Sequence, residues 1–185
     1  MTTSCVEDKA EWAEFDRARR GDESAWRTLV MRHRARLMAL AVLITGSNPA
    51  SEDVVQETFT RALDARIHDS DGTVRGFLGT IAYRLAVKEK RRIRHHTEIN
   101  ETDHIDPNPG PLEGMLLDER NRSVAAAIRS IPEDQREALV LRCYGGHSYE
   151  AIAQLLDIPV GTAKSRVFYA VKSCREILKR KGVLE

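Results

Sequence analysis

The sequence predicts an all-α fold of two small helical domains joined by a linker. Three observations predict it. Apolar residues recur at helical spacing through most of the chain, and no stretch alternates as a strand would. Turn signals such as Gly21-Asp22, Gly46-Ser47-Asn48-Pro49 and Asp157-Ile158-Pro159 fall between the periodic stretches. One segment, Thr97–Gly114, has no periodicity and contains Pro107, Pro109, Gly110 and Pro111. The expected boundaries are 1–96 for the first domain, 97–115 for an acidic linker and 116–185 for the second domain.

The elements follow in order. Helical patterning begins at Glu11 and is interrupted by Gly21-Asp22. Ala25, Leu29, Val30, Leu37, Leu40, Ala41 and Ile44 then form a long apolar stripe. Asn48 is the expected cap of the next helix, with Pro49 at its first position. That helix carries Val54, Val55, Thr58, Phe59, Ala62 and Leu63 on one side. On the other side, Asp53, Gln56, Glu57 and Thr60 lie together at three- and four-residue steps. An acidic, amide-bearing stripe of this kind suits a basic groove on a partner protein. The bland alternative is that Glu52 and Asp53 only complement the helix N-terminus.

After the Asp69–Gly72 loop, Val74, Phe77, Leu78, Ile81, Ala82 and Leu85 mark a further helix that ends in a basic run. Arg84–Arg94 holds six Lys or Arg residues against one acid, Glu89. Helices resume near Leu116, and Pro132 opens another through Leu139, Val140 and Leu141. Ser148–Leu178 then reads as two helices joined by a tight turn, the arrangement of a helix-turn-helix. The expected buried stripe of the last helix is Val160, Ala163, Val167, Val171, Cys174 and Leu178. Its first turns present Thr162, Lys164, Ser165, Arg166 and Tyr169, where a recognition helix meets base edges and phosphates.

Formal net charge is only +1, so no global basic signal points to nucleic acid. The charge is segregated instead. Thr97–Glu119 holds seven acids and no Lys or Arg, between two basic helices. That pattern suits two contacts along one polyanion. Ordinary solvated faces and helix C-termini also gather cations. The N-terminus lacks the basic start and apolar run of a signal peptide, and Leu37–Ile44 is too short to span a bilayer. Cys5, Cys143 and Cys174 lack metal-ligand spacing. The expectation is a cytoplasmic, reduced protein with buried, inert thiols, no cofactor and no metal site.

Three segments together resemble the small alternative sigma factors of bacteria, the extracytoplasmic-function (ECF) type. Ala50–Leu63 is similar to the family helix that grips the clamp of core RNA polymerase. Phe77-Leu78-Gly79-Thr80-Ile81-Ala82, leading into Lys90-Arg91-Arg92-Ile93-Arg94, is similar to the helix that opens and reads the −10 element. Ile131–Leu178, with Pro159-Val160-Gly161-Thr162-Ala163-Lys164-Ser165-Arg166, looks like region four, which binds the −35 element. The resemblance covers nearly the whole chain. It implies no catalytic residues and the following sites. Core polymerase would meet Asp53, Gln56, Glu57 and Thr60. The −10 strand would meet Arg75, Tyr83, Arg84, Lys88, Lys90, Arg91, Arg92 and Arg94. The −35 duplex would meet Tyr149, Thr162, Lys164, Ser165, Arg166 and Tyr169, with His147 and Ser148 as further backbone contacts. Arg166 has a second possible role, bracing the phosphate backbone or the preceding helix. The resemblance also implies an anti-sigma partner, often membrane-bound in this family.

The chain departs from the family pattern at several points. Phe77-Leu78 stands where Trp-Leu is common, and Phe77 reads as core. Arg84 stands for a usual Asn, Lys88 for an acid or Asn, and Tyr169 for a basic residue. Two rival readings remain. A dimeric helix-turn-helix regulator of intact duplex would explain Ser148–Leu178 but not Ser51–Leu63. An enzyme or metal protein would have to use His95, His96, Glu98, His104 or the cysteines, none at fixed ligand spacing.

Overall fold

The computed structural model describes residues 3–65, 72–99 and 119–184. The expected linker after Ile99, and most of the Asp69–Gly72 loop, lie outside the described residues. Helices α1 (Thr3–Arg19), α2 (Glu23–Thr45), α3 (Asn48–Asp64) and α4 (Val74–Ile99) form the first unit. Helices α5 (Glu119–Ser130), α6 (Glu133–Val140), α7 (Tyr149–Leu156) and α8 (Val160–Arg180) form the second. A π-helical turn, Leu141–Gly145, follows α6 directly.

Local chemistry sets the breaks. Asp22 caps α2, accepting from the N–H groups of Ser24 and Ala25 at 3.0 and 3.1 Å. The Ser24 hydroxyl, donating to the same carboxylate at 2.6 Å, and then these N–H groups hold its carboxyl below the usual carboxylate range. Gly46 ends α2 at φ 76° and sends its N–H to the Val42 carbonyl. At α3 the cap position falls to Ser47 rather than Asn48, and no side-chain capping bond forms. Thr45 and Ser51 hydroxyls hold that corner instead, 2.9 Å apart. Ser148 caps α7 as expected, accepting from the Ala151 N–H at 3.1 Å. Asp157 turns the chain at φ 54°, and Pro159 sits at the cap of α8, one residue before its first turn.

Each unit buries one face of every helix. In the first, α2, α3 and α4 pack mutually, and Leu29, Leu40, Ala62 and Leu78 are nearly or completely buried. Phe77 packs against Trp12 and Phe15, with ring centroids 5.8 Å away in both cases. It is a half-buried core residue, as expected. In the second unit α8 packs on α6, α7 and α5. Its buried stripe is Ala163, Val167, Ala170, Cys174 and Leu178. Steps of four, three, four and four keep that face aligned. Val171, expected in the stripe, is 51% exposed, and Ala170 takes its place. Helix α4 also runs to Ile99, slightly past the expected boundary at 96.

Candidate polymerase and promoter surfaces

Helix α3 does what its pattern predicts. Val54, Val55, Thr58 and Phe59 are buried, while Asp53, Gln56 and Thr60 are exposed. Glu57 is half-buried and bonds Arg61 at 2.6 Å. Pattern reading missed the other wall of this surface. Trp26, Val30, Arg34 and Met38 of α2 face Gln56, Phe59 and Thr60 across a groove of about 490 Å³. Trp26 stacks edge-on against Phe59 at 5.4 Å, which fixes the groove floor. Met31, nearby in sequence on α2, is 82% exposed. The missed signal was the apolar Trp26, Val30 and Met38 at helical spacing beside a cationic Arg34.

Of the side chains expected at −10 DNA, Arg84, Lys88, Arg91 and Arg92 are exposed on α4. Arg92 bonds Glu89 at 2.7 Å. The other four bond the second unit, Arg94 with its side chain still 59% exposed. Tyr83 is buried, and its hydroxyl donates to Glu137 of α6 at 3.2 Å. Burial and the Glu137 carboxylate push its phenol pKa up. Lys90 and Arg94 both bond Glu133, Arg94 at 2.9 Å. The two cations hold the Glu133 carboxyl below its ordinary value. Arg75 donates to the carbonyls of Cys143 and Tyr144. Those carbonyls close the π turn, and a cation at a helix C-terminus is favourable.

His147 belongs to this seam too, a correction to its expected place against DNA. It is 5% exposed. Burial lowers its pKa, so the ring is neutral. Nδ1 then donates to the Leu141 carbonyl at 3.2 Å, and Nε2 accepts from the Thr80 hydroxyl at 2.9 Å. Gly79 and Gly145 let the two units touch backbone to backbone. A Cβ on Gly79 would lie 2.7 Å from the Gly145 carbonyl oxygen.

On α8, Lys164, Ser165 and Tyr169 are exposed, and Thr162 is half-buried. The Ser165 hydroxyl donates to the Thr162 carbonyl at 3.0 Å. Lys164 and Arg142 lie 5.9 and 4.9 Å from the centre of the Tyr149 ring, so the start of α7 and the start of α8 form one basic, aromatic surface. Arg166 lies elsewhere. Its Nε meets Asp134 of α6 at 3.3 Å, so it ties α8 to α6 and not to the preceding helix α7. Phe168, absent from the expected list, is 64% exposed and edge-stacks on Tyr169 at 5.4 Å. Cys174 is buried as expected, but Cys143 is exposed as a residue. Its thiol is partly desolvated and its pKa is raised. Among the described residues no helix is long and apolar enough to cross a membrane.

Comparison with known families places the chain. The family model described as Sigma-70 region 2 matches residues 29–96, and that described as Sigma-70, region 4 matches residues 121–174. The RNA polymerase sigma-H factor of Pseudomonas aeruginosa is 32% identical over 181 residues, covering 89% of this chain and 91% of that one. The chain belongs to the ECF sigma factors of bacterial RNA polymerase. The ECF RNA polymerase sigma-E factor of Escherichia coli K12 is 33% identical over 167 residues, covering 84% of this chain and 87% of that one. Two solved structures share the fold. The sigma factor RpoE of Bartonella quintana, in complex with the anti-sigma factor NepR, has TM-score 0.63 at 24% identity and covers 83% of this chain and 96% of that one. CnrH, in complex with the cytosolic domain of CnrY, has TM-score 0.62 at 23% identity and covers 92% of this chain and 98% of that one. As a sigma factor the chain directs core polymerase to promoters. Binding intact duplex as a stand-alone regulator is the disfavoured reading.

Proposed function

We propose a division of labour among three surfaces. The exposed stripe Asp53, Gln56, Glu57 and Thr60, with the groove wall of α2, binds core polymerase. Helix α4 tracks the −10 strand through Arg84, Lys88, Arg91 and Arg92, joined by Arg75, Tyr83, Lys90 and Arg94 once region 4 moves away. The basic, aromatic surface of Tyr149, Thr162, Lys164, Ser165 and Tyr169 reads the −35 duplex, and Arg166 braces α8 on α6. Residues 1–96 and 116–185 act as the two functional units, with 97–115 as tether. The protein has no catalytic residues of its own, works in the cytoplasm and is restrained by an anti-sigma partner, as RpoE of Bartonella quintana is bound by the anti-sigma factor NepR.

One observation carries this reading most directly. The two turns that open α8 expose Lys164 and Ser165 beside Arg142 and Tyr149. A helix N-terminus favours phosphate, and Lys can bond the acceptor edge of guanine.

Selection of duplexes from a random pool tests the proposal. Holoenzyme reconstituted with purified bacterial core should enrich a two-block motif, and Lys164→Ala should erase only the upstream block. A palindrome enriched by the chain without core would instead mark a dimeric duplex regulator.

A further inference from the structure

The solvent face of α8 carries an aromatic patch turned away from the buried stripe. Phe168 and Tyr169 are 64 and 54% exposed. Large apolar groups left open in this way mark a surface that another molecule covers. Their place on the helix says which. Ser165 stands opposite the stripe of Ala163, Val167, Ala170, Cys174 and Leu178. Phe168 and Tyr169 follow it by three and four residues, one on each side of that line. The two rings meet edge to face, with centroids 5.4 Å apart and planes at 76°, and so present one shaped surface. Lys164 precedes the pair and Lys172 follows it on the same face, both exposed. The patch is continuous with the basic surface of Arg142, Tyr149 and Lys164. Apolar rings bracketed by lysines suit a polyanion that carries apolar groups between its charges.

Of the four bases only thymine presents such a group in the major groove, its C5-methyl. We infer that Phe168 and Tyr169 select thymine at two adjacent base pairs of the −35 duplex, through those methyl groups. This rests on the assignment of α8 to the −35 element. The ring separation of 5.4 Å is less than two base-pair steps of about 3.4 Å each, so the rings meet neighbouring pairs. Tyr169 is where this chain's choice of base departs from that of a basic side chain. Lys or Arg at that position would bond the O6 and N7 acceptors of guanine. A phenol ring cannot make that two-pronged contact and offers its apolar face instead. Thymine therefore replaces guanine at the pair that Tyr169 meets.

The test uses holoenzyme of the full chain with purified bacterial core, and the upstream block enriched from the random pool. Uracil in place of thymine removes the methyl and keeps every hydrogen-bonding group. At two adjacent pairs it should weaken binding about fourfold each, the worth of one buried methyl group. At other thymines of the block it should have no effect. Phe168→Ala should erase the uracil effect at one of the two pairs. Tyr169→Phe should keep it at the other, and Tyr169→Arg should turn selection there to guanine. The thermal midpoints of these variants should match the wild type, since both rings are exposed. Three results would overturn the inference. One is an upstream block without thymine at adjacent pairs. Another is tolerance of uracil at every thymine, which leaves the pair as a docking face for a protein partner. The third is a uracil penalty unchanged in Phe168→Ala and Tyr169→Arg, since other side chains then read the methyls. In all three, loss of the block in Lys164→Ala keeps α8 on the −35 duplex. A block unaffected by Lys164→Ala removes that assignment, and the inference with it.

Discussion

His147 shows how one side chain couples stability to pH. Its ring is buried between α4 and the π turn, facing Thr80, the Leu141 carbonyl and the positive charge of Arg75. Burial lowers its pKa from the ordinary 6.5, with Arg75 adding to the effect. His33 is likewise buried and lowered, although Glu11 opposes the shift. Both bases take up protons more readily unfolded than folded. Their contribution is therefore complete above about pH 6.5 and is lost as pH falls from there. The urea midpoint should drop between about pH 7 and 5.5, and His33→Gln with His147→Gln should flatten that drop. Glu133, held below 4.5 by Lys90 and Arg94, adds a second loss at more acid pH. Caps were the most legible residues. Ser148 was readable because its hydroxyl needs only the next turn's N–H, and Ser148→Ala should cost about 1 kcal/mol by urea titration. Asn48 was misplaced because Pro49 can follow either the cap or the first helical residue.

Helices were legible where one face is buried and the other exposed. The α3 pattern separated Val54, Val55, Thr58 and Phe59 from the stripe at Asp53, Gln56 and Thr60, and burial divides them the same way. The α8 pattern erred at Val171, because both Ala170 and Val171 follow Val167 at helical spacing and hydrophobicity favours Val, while the buried face turns through Ala170. Arg166 was ambiguous because its deciding partner, Asp134, lies a whole element away. Two substitutions on α8 should separate by mechanism. Lys164→Ala should weaken binding to a −35 duplex about tenfold, read by fluorescence anisotropy, with the thermal midpoint unchanged. Arg166→Ala should lower stability by less than about 1 kcal/mol and leave base preference intact, since its partner is half exposed. Leu141, fully buried at the start of the π turn, should cost about 2–5 kcal/mol when cut to Ala.

The arrangement of the two units was the least legible feature. Charge segregation along the chain pointed to two DNA-binding helices. It did not reveal that Glu133 and Glu137 lie against one of them, since nothing local in the sequence records a contact between α4 and α6. The groove wall of α2 was missed for a related reason, because Trp26, Val30 and Met38 read as core until α3 is placed beside them. At this scale the function depends on independent surfaces on one chain. The stripe proposed to bind core lies on α3, apart from the seam of α4 with α6. Capture of purified bacterial core RNA polymerase by the full-length protein at moderate salt tests this most directly. The wild type and Lys164→Ala should bind core stably and equally, and Gln56→Ala with Glu57→Ala should lose at least about tenfold. Equal loss in both variants, or stable binding by the Gln56/Glu57 variant, would contradict the placement of the polymerase contact on α3.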